Sequence, residues 1–295
     1  MTGQRESKNR CFSLPLLALA VFVLAVAGFL LALLFPFRDN SLAQVKDRGI
    51  RVGYAVEAPY AFLSPAGEPT GESPEVVREV ARRLAVEPIL WRQVEFNALV
   101  DELEAGRIDV IAAGLFITPE RQRRVRFSLP TFEVRPGLLV PKGNPGRLRS
   151  YADLARAEGA VVAVLSGSVE AGILQKSGVP EARLKQVPDA MTGLAAVETG
   201  VADALALSSP SLHWLAMEGK LQRTEPLLMS VPAGSEASQF GAFAFRKGDR
   251  RLLQAWNAAL TAYIGSSEHL ALVARFGFRA EEIPATASTT KESRP

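Results

Sequence analysis

The chain has 295 residues, enough for one large or two ordinary domains, and 48% hydrophobic with 22% charged residues marks a folded rather than a disordered protein. A net charge of +3 gives no general reason to expect nucleic acid as a partner. A single cysteine, Cys11, excludes an intrachain disulfide and a cysteine-based metal site, and two distant histidines, His213 and His269, read as surface or packing residues, so no metal or cofactor is expected.

The N-terminus belongs to a different solvent. No charge occurs between Arg10 and Arg38, a stretch long enough to cross a bilayer as a helix. Arg5, Lys8 and Arg10 against Glu6 alone place the first residues in the cytoplasm and the bulk of the chain outside. Residues 1–40 therefore read as a cytoplasmic stub with a transmembrane anchor or a signal segment, Ser41-Leu42-Ala43 offering a small-residue cleavage site. Both readings put the domain at the periplasmic or extracytoplasmic face. Cys11 precedes the apolar run instead of ending it, which argues against lipidation there.

From Ile50 the pattern alternates. "IRVGYAV" reads as a buried strand, and "SPEVVREVARRLAV" as a helix with Val76, Val77, Val80, Ala81 and Leu84 on one face, Ser73 as its cap and Pro74 in its first turn. "PILWRQV", "NALVDELEAG" and "IDVIAAG" continue as strand, helix and strand, a rhythm that implies parallel pairing with right-handed crossovers. "GNPGRLRS" interrupts, and the rhythm restarts through "AVVAVLSGS", "VEAGILQKSG", "RLKQVP", "AMTGLAAVETG" and "ADALALS". After "VPAGSEASQFG" come "AFAFRKGD" and the helix "RLLQAWNAALTAYIGS". The expected fold is α/β with two lobes: residues 41–141 and 239–285 in lobe 1, 142–238 in lobe 2, hinge crossovers near 142 and 238, and a disordered tail at 286–295. The ligand position this implies is the cleft between the lobes.

One local feature stands out. In "AAGLFITPERQRRVRFSLP" four arginines fall within six positions after a strand-like run. Together with "GYAVEAPYAF", "GESPEVVREVARRL", "SGSVE", "TGVADALALSS" and "GAFAFRKGD", this block resembles the family 3 extracellular solute-binding proteins, the amino-acid-type receptors of ABC importers. Within them it looks most like the ectoine and hydroxyectoine binders. The resemblance covers about Val45 to Pro284 and implies a two-lobe, type II-like periplasmic-binding-protein fold that works as a monomer with importer permease subunits.

The resemblance also assigns residues. Arg121 matches the arginine that clamps a ligand carboxylate, a task suited to the bidentate guanidinium fork, and Thr118 in the preceding turn can offer its hydroxyl and N–H to the same oxygens. Arg123, Arg124 and Arg126 read as solvated. Ser208 stands where amino-acid receptors of the family carry an acid for the α-ammonium, and Asp203 reads as securing the strand end. Glu57, Tyr60 and Phe116 match a carboxylate and aromatic faces around a delocalised cation, with Phe96 and Phe62 as further members; for these two, core packing is the plain alternative. Ser166, Gly167, Ser168 and Val169 form a Gly-containing turn at a helix start, a cradle for the carboxylate, and Asp189 reads as the cap of the next helix. The ligand implied is a small zwitterion of the ectoine type; a polar amino acid is the alternative within the family. A dehydratase of the same fold needs an acid–base pair where Glu57 is the only cleft acid placed by the sequence, and a sensor needs a signalling partner beyond the ten-residue stub.

Overall fold

The computed structural model describes residues 39–229 and 239–284, together with 19 and 21–26. The chain divides into two compact units, residues 1–39 and 40–295; the second carries the lobes. Most of the expected anchor or signal segment, the crossover residue at 238 and the tail 286–295 lie outside the described residues. Among the described residues no helix is long and apolar enough to cross a membrane.

The chain runs α1 (Ser41–Arg48), β1 (Ile50–Tyr54), the hairpin β2 (Phe62–Leu63) and β3 (Pro69–Thr70), α2 (Glu72–Leu84), β4 (Ile89–Gln93), α3 (Leu99–Glu104) and β5 (Val110–Ile111). Then come α4 (Pro119–Gln122), β6 (Arg126–Phe127), β7 (Phe132–Val134), β8 (Pro136–Pro141), α5 (Tyr151–Arg156), β9 (Val162–Leu165), α6 (Val169–Lys176) and β10 (Leu184–Val187). The rest is α7 (Ala190–Glu198), β11 (Ala204–Ser208), α8 (Ser209–Met217), β12 (Thr224–Leu228), β13 (Gln239–Gly241), β14 (Ala244–Phe245), α9 (Arg250–Thr261) and α10 (Ser267–Ala274).

Two five-stranded sheets result, in the orders β4-β1-β5-β14-β6 and β10-β9-β11-β8-β12. The inner strands pair in parallel, β1 with β4 and β5, and β9 with β10 and β11, as the alternating rhythm implies. Each sheet closes with antiparallel strands, β14 in the first and β8 with β12 in the second. Between the sheets β7 and β13 pair antiparallel, Val134 opposite Gln239 and Phe132 opposite Gly241.

This moves the first crossover. The sequence reading ended lobe 1 at 141, at the Gly/Pro break, but the strand before that break, β8, already belongs to the second sheet. The passage falls at Arg135, between β7 and β8, and the Pro136-Gly137 that follows opens β8 as extended chain instead of making a turn.

In lobe 1, Val76, Val77 and Val80 of α2 are fully buried and pack with Leu252, Trp256 and Leu260 of α9. Each such valine contributes about 1.5–3 kcal/mol of burial. Ser73 does not cap this helix: α2 begins at Glu72, with Gly71 at the cap position, two residues earlier than expected. The Ser73 hydroxyl instead donates to Glu72 Oε2 (2.7 Å) and accepts from the Gly114 N–H (3.2 Å), tying the helix start to the segment after β5. At the start of β5, the buried Asp109 carboxylate takes hydrogen bonds from Arg48 (2.9 and 3.0 Å), Arg51 (2.7 Å) and Arg246 (2.8 Å). Burial opposes its ionisation, but the bonds from Arg51, Arg48 and Arg246 outweigh it and hold the group well below the usual carboxylate range.

The second sheet is packed on both sides, with Leu138, Val140, Val162 and Val164 in one cluster and Leu139, Ala163 and Leu205 in another. Asp203 accepts from the Val161 N–H at 2.8 Å and so fixes the strand end. His269 is buried edge-on to Tyr263, and His213 Nδ1 lies 3.1 Å from the Gly277 carbonyl; both are packing residues.

Candidate functional site

A cleft of about 900 Å³ lies between the sheets' C-terminal ends. Lobe 1 lines it with Glu57, Phe62, Phe96 and Asn97, and lobe 2 with Ser166, Ser168, Asp189, Met191 and Trp214.

Glu57 is presented by a tight turn after β1, in which its own carbonyl accepts the N–H groups of Tyr60 (2.9 Å) and Ala61 (3.0 Å). Burial, and then repulsion from Glu170, push its carboxyl up to about 8 against the pull of Arg121. Arg121 sits on the single turn α4, whose cap is Thr118: the hydroxyl accepts from the Arg121 N–H at 3.2 Å, with Pro119 at the first helical position. That bond uses the Thr118 oxygen as an acceptor inside the turn. The guanidinium lies 5.5 Å over the Phe96 ring and donates to the Phe116 carbonyl (2.8 Å) and, across the cleft, to the Gly167 carbonyl (3.1 Å). Burial lowers the Arg121 pKa while Glu170 and Glu57 raise it.

From lobe 2, β9 runs into Ser166-Gly167-Ser168 and α6. Gly167 has φ +80, a left-handed conformation that glycine adopts without strain, while a Cβ there would meet Asn97 and Phe96 only at ordinary contact distance, 3.5 and 3.6 Å. Two N–H groups of the expected cradle are used internally, Ser166 on Val187 (2.9 Å) and Ser168 on Leu165 (3.1 Å). The Ser168 hydroxyl is buried beside Glu170 without a well-formed hydrogen bond. Val169 packs against the aromatic cluster described next.

Tyr60, Phe116 and Ser208, expected around the ligand, do not line the cleft in this conformation. Tyr60 is 1% exposed and packs against Phe116 (6.0 Å, edge-on), Phe132 (5.1 Å) and Phe278 (5.7 Å). Its hydroxyl lies 2.7 Å from Ser208 Oγ, which lies 3.0 Å from Ser211 Oγ. The rings satisfy one another, and the tyrosine's polar tip finds its partner on the opposite lobe. Phe62 does face the cleft, its ring tilted against that of Trp214 at 5.0 Å. Asp189 both caps α7, accepting from Thr192 at 2.7 Å, and lines the cleft.

Sequence reasoning missed Trp214, Met191, Asn97 and Glu170. Glu170 stands in the quoted "SGSVE" and is buried; burial first raises its pKa, and Arg121 counters. Glu57 is thus not the only acid near the cleft. Arg124 is bound to Asp101 (2.6 Å) and Glu104 on an exposed face, Arg123 lies 3.5 Å from Glu120, and Arg126 donates to the Lys247 carbonyl at 2.9 Å. All three are outer-surface residues. Among the described residues no group of three or more His, Cys, Asp or Glu is arranged to hold a metal ion.

The geometry has close counterparts. A probable amino-acid ABC transporter periplasmic-binding protein of Sinorhizobium fredii, y4tE, is 34% identical over 257 residues, 85% of each chain. The L-cystine-binding protein TcyJ of Escherichia coli is 29% identical over 227 residues, 76% of this chain and 81% of that one. Among solved structures, EhuB in complex with hydroxyectoine superposes with a TM-score of 0.73 at 32% identity, covering 82% of this chain and 94% of that one. The sequence profile of the bacterial extracellular solute-binding proteins, family 3, matches residues 50–279, and the chain belongs to that family.

Proposed function

We propose that the protein is the extracytoplasmic receptor of an ABC importer that captures a small zwitterion of the ectoine or hydroxyectoine type in the interlobe cleft. The observation that carries this reading is a cleft lined by Glu57 and Phe96, with the Arg121 guanidinium 5.5 Å over the Phe96 ring, while the end of β11 offers the hydroxyl of Ser208 and not a carboxylate. Arg121 and the Ser168 hydroxyl suit a carboxylate; Glu57 and the Phe96 face suit a cation whose charge is spread. A primary ammonium, with its charge concentrated, loses more when desolvated without directed acceptors. Similarity to EhuB supports the choice.

The second reading is a polar amino acid, favoured by the names of the curated relatives and by Asp189 in the cleft lining. In both readings the chain binds and releases its solute unchanged, with permease subunits as partners and the periplasm as its place of work.

A thermal-shift screen against compatible solutes and amino acids tests the proposal. A ligand at 100 times its Kd stabilises the folded state by about 2.7 kcal/mol, which for a protein of this size raises Tm by roughly 5–10 °C. Shifts confined to common amino acids would favour the second reading.

A further inference from the structure

The cleft is larger than the zwitterion proposed for it. A solute of about ten non-hydrogen atoms, at the ~30 Å³ that a water takes in the liquid, fills at most roughly 300 Å³, whereas the cleft holds about 900 Å³. The charged residues of the lining are Glu57, Glu95, Asp189, Glu218 and Lys220, and Arg121 meets the cleft from behind Phe96, 5.5 Å over its ring.

The remaining lining has different chemistry. Phe62 and Trp214 meet across the lobes at 5.0 Å with their rings tilted by 49°, and Phe276 backs both rings at 6.2 Å. Met191, in the first turn of α7, is 50% exposed, and Leu63 beside Phe62 is 42% exposed; both line the cleft. Large apolar side chains left open on a concave surface mark a binding surface more than a packing remainder. Glu218 and Lys220 stand at the exposed rim of the same cleft.

We propose that this part of the cleft is a second compartment, which takes an apolar or aromatic extension of the ligand whose charged head lies by Glu57 and Arg121. The preferred solute is then a zwitterion bearing a bulky apolar substituent. The inference rests on the head-group reading given above. Flat faces from Phe62 and Trp214 suit a ring or an aliphatic chain, and the flexible thioether of Met191 adapts to either.

Titration calorimetry on the full chain in detergent tests it with two pairs of probes. One pair is ectoine and its ring analogue with the 2-methyl group replaced by phenyl; the other is L-alanine and L-phenylalanine. The larger member of a pair is expected to bind about 10- to 100-fold tighter, the effect of burying one large apolar group. Trp214→Ala and Met191→Ala should erase most of that advantage and leave the smaller members within about twofold. Met191 is half exposed, so its variant keeps the test valid if Trp214→Ala folds poorly. If the ring compounds fail to bind but phenylalanine outbinds alanine through Trp214 and Met191, the ectoine-type head fails and the compartment stands. The compartment is overturned if the larger member of neither pair binds tighter, or if the variants weaken small and large members equally.

Discussion

Replacing Arg121 with alanine removes a guanidinium that donates to the Phe116 carbonyl at 2.8 Å and the Gly167 carbonyl at 3.1 Å, over the Phe96 ring. It remains charged despite burial, because arginine does not deprotonate in proteins and Glu170 and Glu57 favour the cation. A ligand carboxylate deprived of this partner loses a desolvated charge pair, at about 2–5 kcal/mol. At 1.4 kcal/mol per factor of ten, that is roughly 30- to 4000-fold in Kd. Arg121→Lys keeps the charge without the fork and should recover only part. The bond to Gly167 is worth about 1 kcal/mol to lobe contact, so urea unfolding is run beside calorimetry to separate folding from binding. Arg124→Ala is the control: its bonds to Asp101 and Glu104 lie on the exposed outer face, and Kd should stay within about twofold. Equal losses at Arg121 and Arg124, or a folded Arg121→Ala protein with unchanged affinity, would refute the assignment of the carboxylate clamp.

Three further outcomes follow from the same structure. Glu57, raised to about 8 by burial and Glu170, is protonated at neutral pH in the free protein and must ionise to pair with a ligand cation. Affinity should therefore rise by up to about tenfold per pH unit toward pH 8 and level off above it, a slope that calorimetry should find flattened in Glu57→Gln. Asp109→Asn leaves three guanidiniums without their shared carboxylate and should cost about 3–5 kcal/mol in urea unfolding. Since the folded-state pKa is depressed, that stabilisation is present above the ordinary aspartate value of about 3.9 and is lost as pH falls below it, so wild type and variant should converge in acid. Gly114→Ala places a Cβ 2.3 Å from the Tyr60 ring at φ +61, and should lower unfolding stability by about 1–3 kcal/mol in the same assay.

What was legible in the sequence had a local physical signal. The valine stripe of α2, the Gly167 turn and the Asp189 cap each announce themselves through spacing or backbone chemistry. Glu57 and Arg121 come from the family resemblance of the motifs around them, and the structure brings them within electrostatic reach of each other. The crossover reads at the denser Gly/Pro cluster of residues 143–150, whereas the Pro136-Gly137 beside the real one lies in a strand. Tyr60 and Phe116 were aimed at the ligand because sequence position cannot reveal that Phe132 and Phe278, from distant segments, close over them. Trp214 and Met191 lie on helices apolar around most of their circumference, so periodicity gave no sign of which residue faces the cleft.

The most direct measurement is titration calorimetry of the full chain with ectoine and with L-glutamine under identical conditions. Saturable one-to-one binding of ectoine, tighter than that of glutamine, is the predicted result. Tight binding of glutamine with no detectable heat from ectoine would contradict it and leave Glu57 as the partner of a primary ammonium.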